Sequence, residues 1–128
     1  MKIKITSVLV DDQDKALSFY TDILGFVKKN EIPMGENKWL TVVSKEEENG
    51  VELLLEPIAF EPAETYQSAL YEAGIPYTSF EVNNLDYEFE RLRDLNVEFS
   101  MRPTTMGSVK IAILDDTCGN RIQLVEVI

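Results

Sequence analysis

The sequence predicts a mixed α+β fold built from two β-α-β-β-β modules whose strands form one curved mixed sheet with a cleft. Two observations carry that prediction. The stretch ITSVLVDD at 5–12 returns as YTSFEVNN at 77–84, with Thr-Ser kept, apolar residues at matching places, and Asp11-Asp12 answered by Asn83-Asn84. Each copy is then followed by a helix and three strands, with LGF at 24–26 answered by LNV at 95–97 and VELLL at 51–55 by IQLVE at 122–126. Matches in the same order over several elements mark an internal duplication, not a chance octapeptide.

Each element has its own signal. IKITSVLV at 3–10 is rich in β-branched residues and suits a buried strand. Asp12 is placed to cap a helix in which Ala16, Leu17, Tyr20, Ile23 and Leu24 recur at helical spacing until Gly25 ends it. FVKKNEI, KWLTVVS and VELLLE are three further strands, separated by the turn-prone MGEN and EEENG. Pro62 suits the start of a short linking helix with Tyr66, Ala69, Leu70 and Ala73 on one face and Gly74 at its end.

The second copy opens with the strand PYTSFEV. Asn84 caps a helix carrying Leu85, Phe89, Leu92 and Leu95, and Asn96 stands where the first copy has Gly25. VEFSMRP, SVKIAIL and RIQLVEVI are the remaining strands, the last two joined by the turn DDTCGN. The chain is therefore expected to be a single domain over 1–128, with module 1 at about 1–57, a connector at about 58–75 and module 2 at about 76–128.

Composition narrows the function. With 128 residues and 45% apolar content the chain can bury a real core, and no apolar run approaches the ~20 residues of a membrane span. The beginning lacks the apolar core and cleavage site of a secretory signal, so the expected location is cytoplasmic. One cysteine, Cys118, offers no internal disulfide and reads as a spectator thiol. A formal net charge of −11 repels phosphate backbones and anionic lipids, so neither nucleic acid nor membrane is an expected partner, and a cationic ligand is favoured. There is no histidine, which removes histidine base chemistry and the commonest transition-metal ligand.

One helix covers only one face of each module's sheet. Alternation puts Thr6, Val8 and Val10 under the first helix and Ile5, Ser7 and Leu9 on the other side. It likewise puts Thr78, Phe80 and Val82 under the second helix and Tyr77, Ser79 and Glu81 opposite. Val51, Leu53 and Leu55 face the helix, with Glu52, Leu54 and Glu56 away from it. In the last strand Ile122, Leu124 and Glu126 take the helix side, and Gln123 and Val125 the other. The uncovered faces are the natural ligand surface, and symmetry picks out two pairs there: Ile5 with Tyr77, and Glu52 with Gln123.

Through VLVDDQDKALSFYTDILGF in the first module and DDTCGNRIQLVE near the end, the sequence resembles the vicinal oxygen chelate superfamily, which includes glyoxalase I, bleomycin-resistance proteins and extradiol dioxygenases. The resemblance covers essentially the whole chain. It implies the paired-module glyoxalase/bleomycin resistance fold, a cleft in the curved sheet, and a homodimer whose modules pair within or between chains. Metal-using relatives hold a divalent ion with His or Gln and Glu on the first and last strands of each module. Carried onto this sequence, those positions are Ile5, Glu52, Tyr77 and Gln123.

Ile5 has no donor and a neutral phenol at Tyr77 is a poor ligand, leaving Glu52 and Gln123, too few for a tight site. No cofactor is therefore expected, with a weakly held divalent ion at Glu52 and Gln123 as the open alternative. The expected function is metal-independent binding of a small molecule, with sequestration of a cationic ligand in an acidic, partly aromatic cleft. Ile5, Ser7, Trp39, Glu52, Leu54, Glu56, Tyr77, Ser79 and Gln123 are its expected lining, with Glu81 a further acidic candidate. Tyr77 and Trp39 can stack a flat or cationic ligand, and Arg102, Met106 and Phe60 are candidates for the rim. A lyase or isomerase of the glyoxalase type acting on a small carbonyl compound is the alternative. There Glu52 would be the catalytic base, with Tyr77 or Gln123 polarising the oxygen; a carboxylate inside the cleft is expected to have a raised pKa, which would favour base chemistry or a cation partner. A scaffold with a vestigial cleft is a third possibility.

Overall fold

The computed structural model describes residues 1–128, which divide into two compact units, Met1–Glu64 and Thr65–Ile128. The first unit holds strand β1 (Ile5–Val10), helix α1 (Gln13–Ser18), and strands β2 (Val27–Met34), β3 (Asn37–Val43) and β4 (Glu52–Pro57). The sheet order is β1-β4-β3-β2, with β1 parallel to β4 and the other pairs antiparallel. Asp12 caps α1 by accepting the Lys15 N–H at 3.0 Å, one of the donors that a helix start leaves unpaired. Gln13 then ties the helix to the sheet. Its amide donates to the carbonyls of Lys38 and Leu55, and its oxygen accepts the Lys38 N–H. Val8, Val10, Ala16, Tyr20, Leu40, Val42 and Leu55 are fully buried and form the core of this unit.

The second unit repeats the order β5-β8-β7-β6, with strands β5 (Thr78–Glu81), β6 (Phe99–Met106), β7 (Val109–Asp115) and β8 (Arg121–Val127). The strands are thus hydrogen-bonded as two four-stranded sheets, one per unit. Helix α3 (Leu85–Asp94) is capped by Asn84, which accepts the Tyr87 N–H, and presents buried Leu85, Phe89 and Leu92. As expected, Glu126 lies on the helix side, where its carboxylate accepts the Leu85 N–H at the start of α3. No helix is long and apolar enough to cross a membrane.

Helix α2 (Glu61–Glu72) spans the boundary between the units, and its attachment differs from the expected apolar face. Tyr66, Ala69 and Ala73 are exposed, and the buried residue is Gln67. Gln67 donates to the Cys118 carbonyl and to the Asn120 side chain, while Tyr71 bonds Asp115 and Arg121 donates to the Tyr71 carbonyl. Polar groups on the β7–β8 turn hold this helix, which is why apolar spacing alone misplaces its contact face. Thr6 also departs from expectation: it lies at the open end of β1 and is exposed, whereas Val8 and Val10 go under α1.

The duplication can be followed residue by residue. The β2–β3 and β6–β7 turns are Met34-Gly35 and Met106-Gly107, and both glycines sit in the left-handed region, at φ +63° and +62°. The helix caps Asp12 and Asn84 keep this spacing, but the stops Gly25 and Asn96 lie one position closer together. The first helix therefore holds one extra residue. It is absorbed in a π-helical turn at Phe19–Ile23, where Leu24 N–H reaches five residues back to Phe19. Phe26 N–H then reaches six residues back to Tyr20, where Val97 in the second unit reaches only five, to Leu92.

The closing strands break the symmetry. Glu52 follows its cross-strand partner Val43 by nine positions, while Arg121 follows Asp115 by six, because the β7–β8 turn is shorter. Glu52 pairs with Ile5, but Gln123 pairs with Ser79, two residues beyond Tyr77. The expected equivalence of Glu52 and Gln123 is corrected accordingly: the backbone aligns Glu52 with Arg121 and Gln123 with Leu54. A slip of two residues preserves the facing of every side chain, so the apolar pattern could not reveal it.

Candidate functional site

Register places Ile5, Ser7, Glu52, Leu54, Glu56 and Trp39 on one face of the first sheet, the side away from Val8, Val42 and Leu55. Its polar centre is Glu52, whose side chain is 7% exposed. One carboxylate oxygen, Oε1, accepts the Thr41 hydroxyl at 2.7 Å and the Asn30 amide at 2.9 Å. The other, Oε2, faces the Lys4 ammonium at 3.3 Å. Asn30 reaches this position through a β-bulge. Lys28 pairs with Val42 and Asn30 with Thr41, so the extra residue Lys29 turns Asn30 onto the face of Glu52.

These partners decide the charge state. The Thr41 hydroxyl, above all, lowers the Glu52 pKa below its ordinary value; burial opposes this, and the Asn30 amide and Lys4 ammonium add to the lowering. The expectation of a raised pKa is thus overturned, because hydrogen bonds to the charged form outweigh desolvation. A buried carboxylate of this kind is a fixed negative charge and a weak base. Lys4, Asn30 and Thr41 were not among the sequence candidates. Thr41 shares the alternating face of Trp39 and could have been found, but Asn30 depends on the bulge, and Lys4 precedes the strand.

In the second unit, Tyr77, Ser79 and Gln123 share the face away from α3. The Gln123 amide donates to the Ser79 hydroxyl at 3.2 Å. Tyr77 is half-buried and meets the exposed Tyr66 ring edge-on, with centroids 6.1 Å apart. Glu81 is exposed at the end of β5. Arg102, a rim candidate, holds its guanidinium 5.9 Å from the Phe89 ring centroid, against a helix residue. Met106 and Phe60 are exposed. Cys118 is fully buried in the β7–β8 turn, where its N–H donates to Asp116. No three His, Cys, Asp or Glu side chains converge as a metal-holding group.

Comparison with known proteins agrees with this architecture. The family model described as Glyoxalase/Bleomycin resistance protein/Dioxygenase superfamily matches residues 2–124. The chain is 49% identical over 126 residues to "Uncharacterized protein YurT" of Bacillus subtilis (strain 168), covering 98% of this chain and 99% of that one. It is 29% identical to the "Probable lactoylglutathione lyase" of Synechocystis sp. (strain ATCC 27184 / PCC 6803 / Kazusa), with 94% and 92% covered. Among solved structures, UcmS2 superposes with a TM-score of 0.85 at 30% identity, over 98% of both chains. TnmS3, an antibiotic binding protein from Streptomyces sp. CB03234, shares the fold with a TM-score of 0.77 at 22% identity, covering 100% of this chain and 97% of that one.

Proposed function

The chain belongs to the Glyoxalase/Bleomycin resistance protein/Dioxygenase superfamily, and within it we propose that it binds a small cationic molecule without a metal, using Glu52 as a fixed negative charge. The observation that carries this is the setting of Glu52: buried, bonded by Thr41 and Asn30, and held ionised at neutral pH. Half-buried Trp39 on the same sheet face supplies a surface on which a cation or flat group can stack. Binding of a small molecule has a precedent at the level of the fold in TnmS3, an antibiotic binding protein.

The residues at the family's metal positions do not fit a divalent ion. Ile5 has no donor atom, Tyr77 offers only a neutral phenol, and both oxygens of Glu52 already have partners within the protein. The same reading keeps the family's homodimer, which sedimentation of the purified protein tests. Similarity to a probable lactoylglutathione lyase favours a second reading, in which Glu52 abstracts a proton from a small carbonyl compound. Its lowered pKa makes it a poor base for that step.

Calorimetric titration with a panel of small ammonium compounds separates the two. Heat of binding that disappears in Glu52→Gln, without turnover of the methylglyoxal–glutathione hemithioacetal, is expected. Hemithioacetal turnover that survives chelators and is lost in Glu52→Gln would overturn binding in favour of catalysis.

A further inference from the structure

We infer that Lys4 is a tethered, displaceable counter-ion for Glu52: its ammonium holds the place that an incoming cation would take. It therefore sets which cations the carboxylate can accept. The two partners of Oε1 come from within the sheet, on β2 and β3. Lys4 differs in kind. Its carbonyl accepts the Glu52 N–H at 2.9 Å, so the root of the side chain is fixed beside the carboxylate. The side chain itself is 57% exposed, and its ammonium is the single partner of Oε2. Swinging this arm into water costs little, because a half-exposed ion pair adds modest stability and a lysine regains rotamer freedom on release. Once it swings out, the carboxylate stays ionised on its two remaining hydrogen bonds and presents Oε2 to a cation.

This deepens the function proposed above and shares its premise that Glu52 stays charged, yet the two can fail separately. The probe is Mn²⁺ alone, an ion suited to carboxylate oxygen, followed through paramagnetic broadening of backbone amides in ¹⁵N-labelled protein. In the wild type, broadening should spare Glu52 and its strand partners Ile5 and Val43. In Lys4→Met and Lys4→Gln it should appear at those amides, at Mn²⁺ lower by up to roughly fivefold than any wild-type effect there. It should be absent in Lys4→Arg and vanish in Lys4→Met/Glu52→Gln. Lys4 lies outside every strand with an exposed side chain, so an unchanged amide spectrum is expected and checks the fold. Equal broadening in wild type and Lys4→Met would overturn the inference, as would its absence in Lys4→Met or its persistence in the double variant. None of these results depends on whether an organic cation binds, which the calorimetry reads separately.

Discussion

The two units share strand order and helix caps but bury their polar groups in different places. The first buries a carboxylate on a sheet face, at Glu52, and satisfies it from β2, β3 and the residue before β1. The second buries Asp116 and Asn120 in the β7–β8 turn, next to Gln67 of α2, and leaves Gln123 half-exposed on its sheet face. The difference follows from turn length. The short β7–β8 connection folds on itself through Asp116, which accepts the Cys118 and Asn120 N–H groups and the Asn120 amide. The longer β3–β4 connection lies among exposed, mostly charged residues and carries no such network. Duplication has kept the backbone plan while the sites of buried polarity diverged, one into a turn and one onto a sheet face.

That contrast is sharpened by removing each feature in turn. Asp116→Ala should cost most, roughly 3 kcal/mol in chemical denaturation, because it strips a fully buried acceptor from three donors of buried Cys118 and Asn120. A loss below about 1 kcal/mol would mean that this network is dispensable. Thr41→Val keeps the shape but removes the donor to Glu52, so about 1–2 kcal/mol should be lost and the Glu52 pKa should rise.

Acid provides a graded test of the same site. Because the folded-state pKa of Glu52 is lowered, its ionisation stabilises the protein above the unfolded-state value near 4.5, and that contribution fades as pH falls through the folded value. The stability gap between wild type and Glu52→Gln should therefore shrink on acidification, as followed by urea unfolding at several pH values. A gap that stays constant with pH would remove the electrostatic role.

Deleting exposed Asp22 from the π-helical turn should give the first helix the ending seen in the second, at a cost of about 1 kcal/mol. Collapse of the fold would show that the extra residue is required for packing Tyr20. Lys38→Gln should matter least. It breaks surface contacts to Asp14 and Glu31, letting the Glu31 pKa rise from about 2, with no measurable shift in the urea midpoint at neutral pH.

Much of the fold was legible because its signals are local. Asp12 and Asn84 cap helices, Gly25 and Asn96 stop them with positive φ, and β-branched runs form the strands. What escaped depends on relations between segments. The one-residue difference between caps and stops was present in the sequence, but its expression as a π-helical turn required the backbone. The register of Gln123 was hidden because a two-residue slip leaves the alternation intact. The chemistry of Glu52 was misjudged for a similar reason. Burial could be expected, but its three partners come from a bulged strand, a neighbouring strand and the residue before β1, and they reverse the sign of the pKa shift.

Labelling the glutamate side-chain carboxyl carbons and following Glu52 by ¹³C NMR through an acid titration is the most direct examination of its charge state, with Glu52→Gln giving the assignment. A midpoint below 4.5, moving upward in Thr41→Val, is the expected result. A midpoint displaced toward neutrality would mean that Glu52 is a protonatable group suited to base chemistry, and the fixed-charge description of this protein would have to be abandoned.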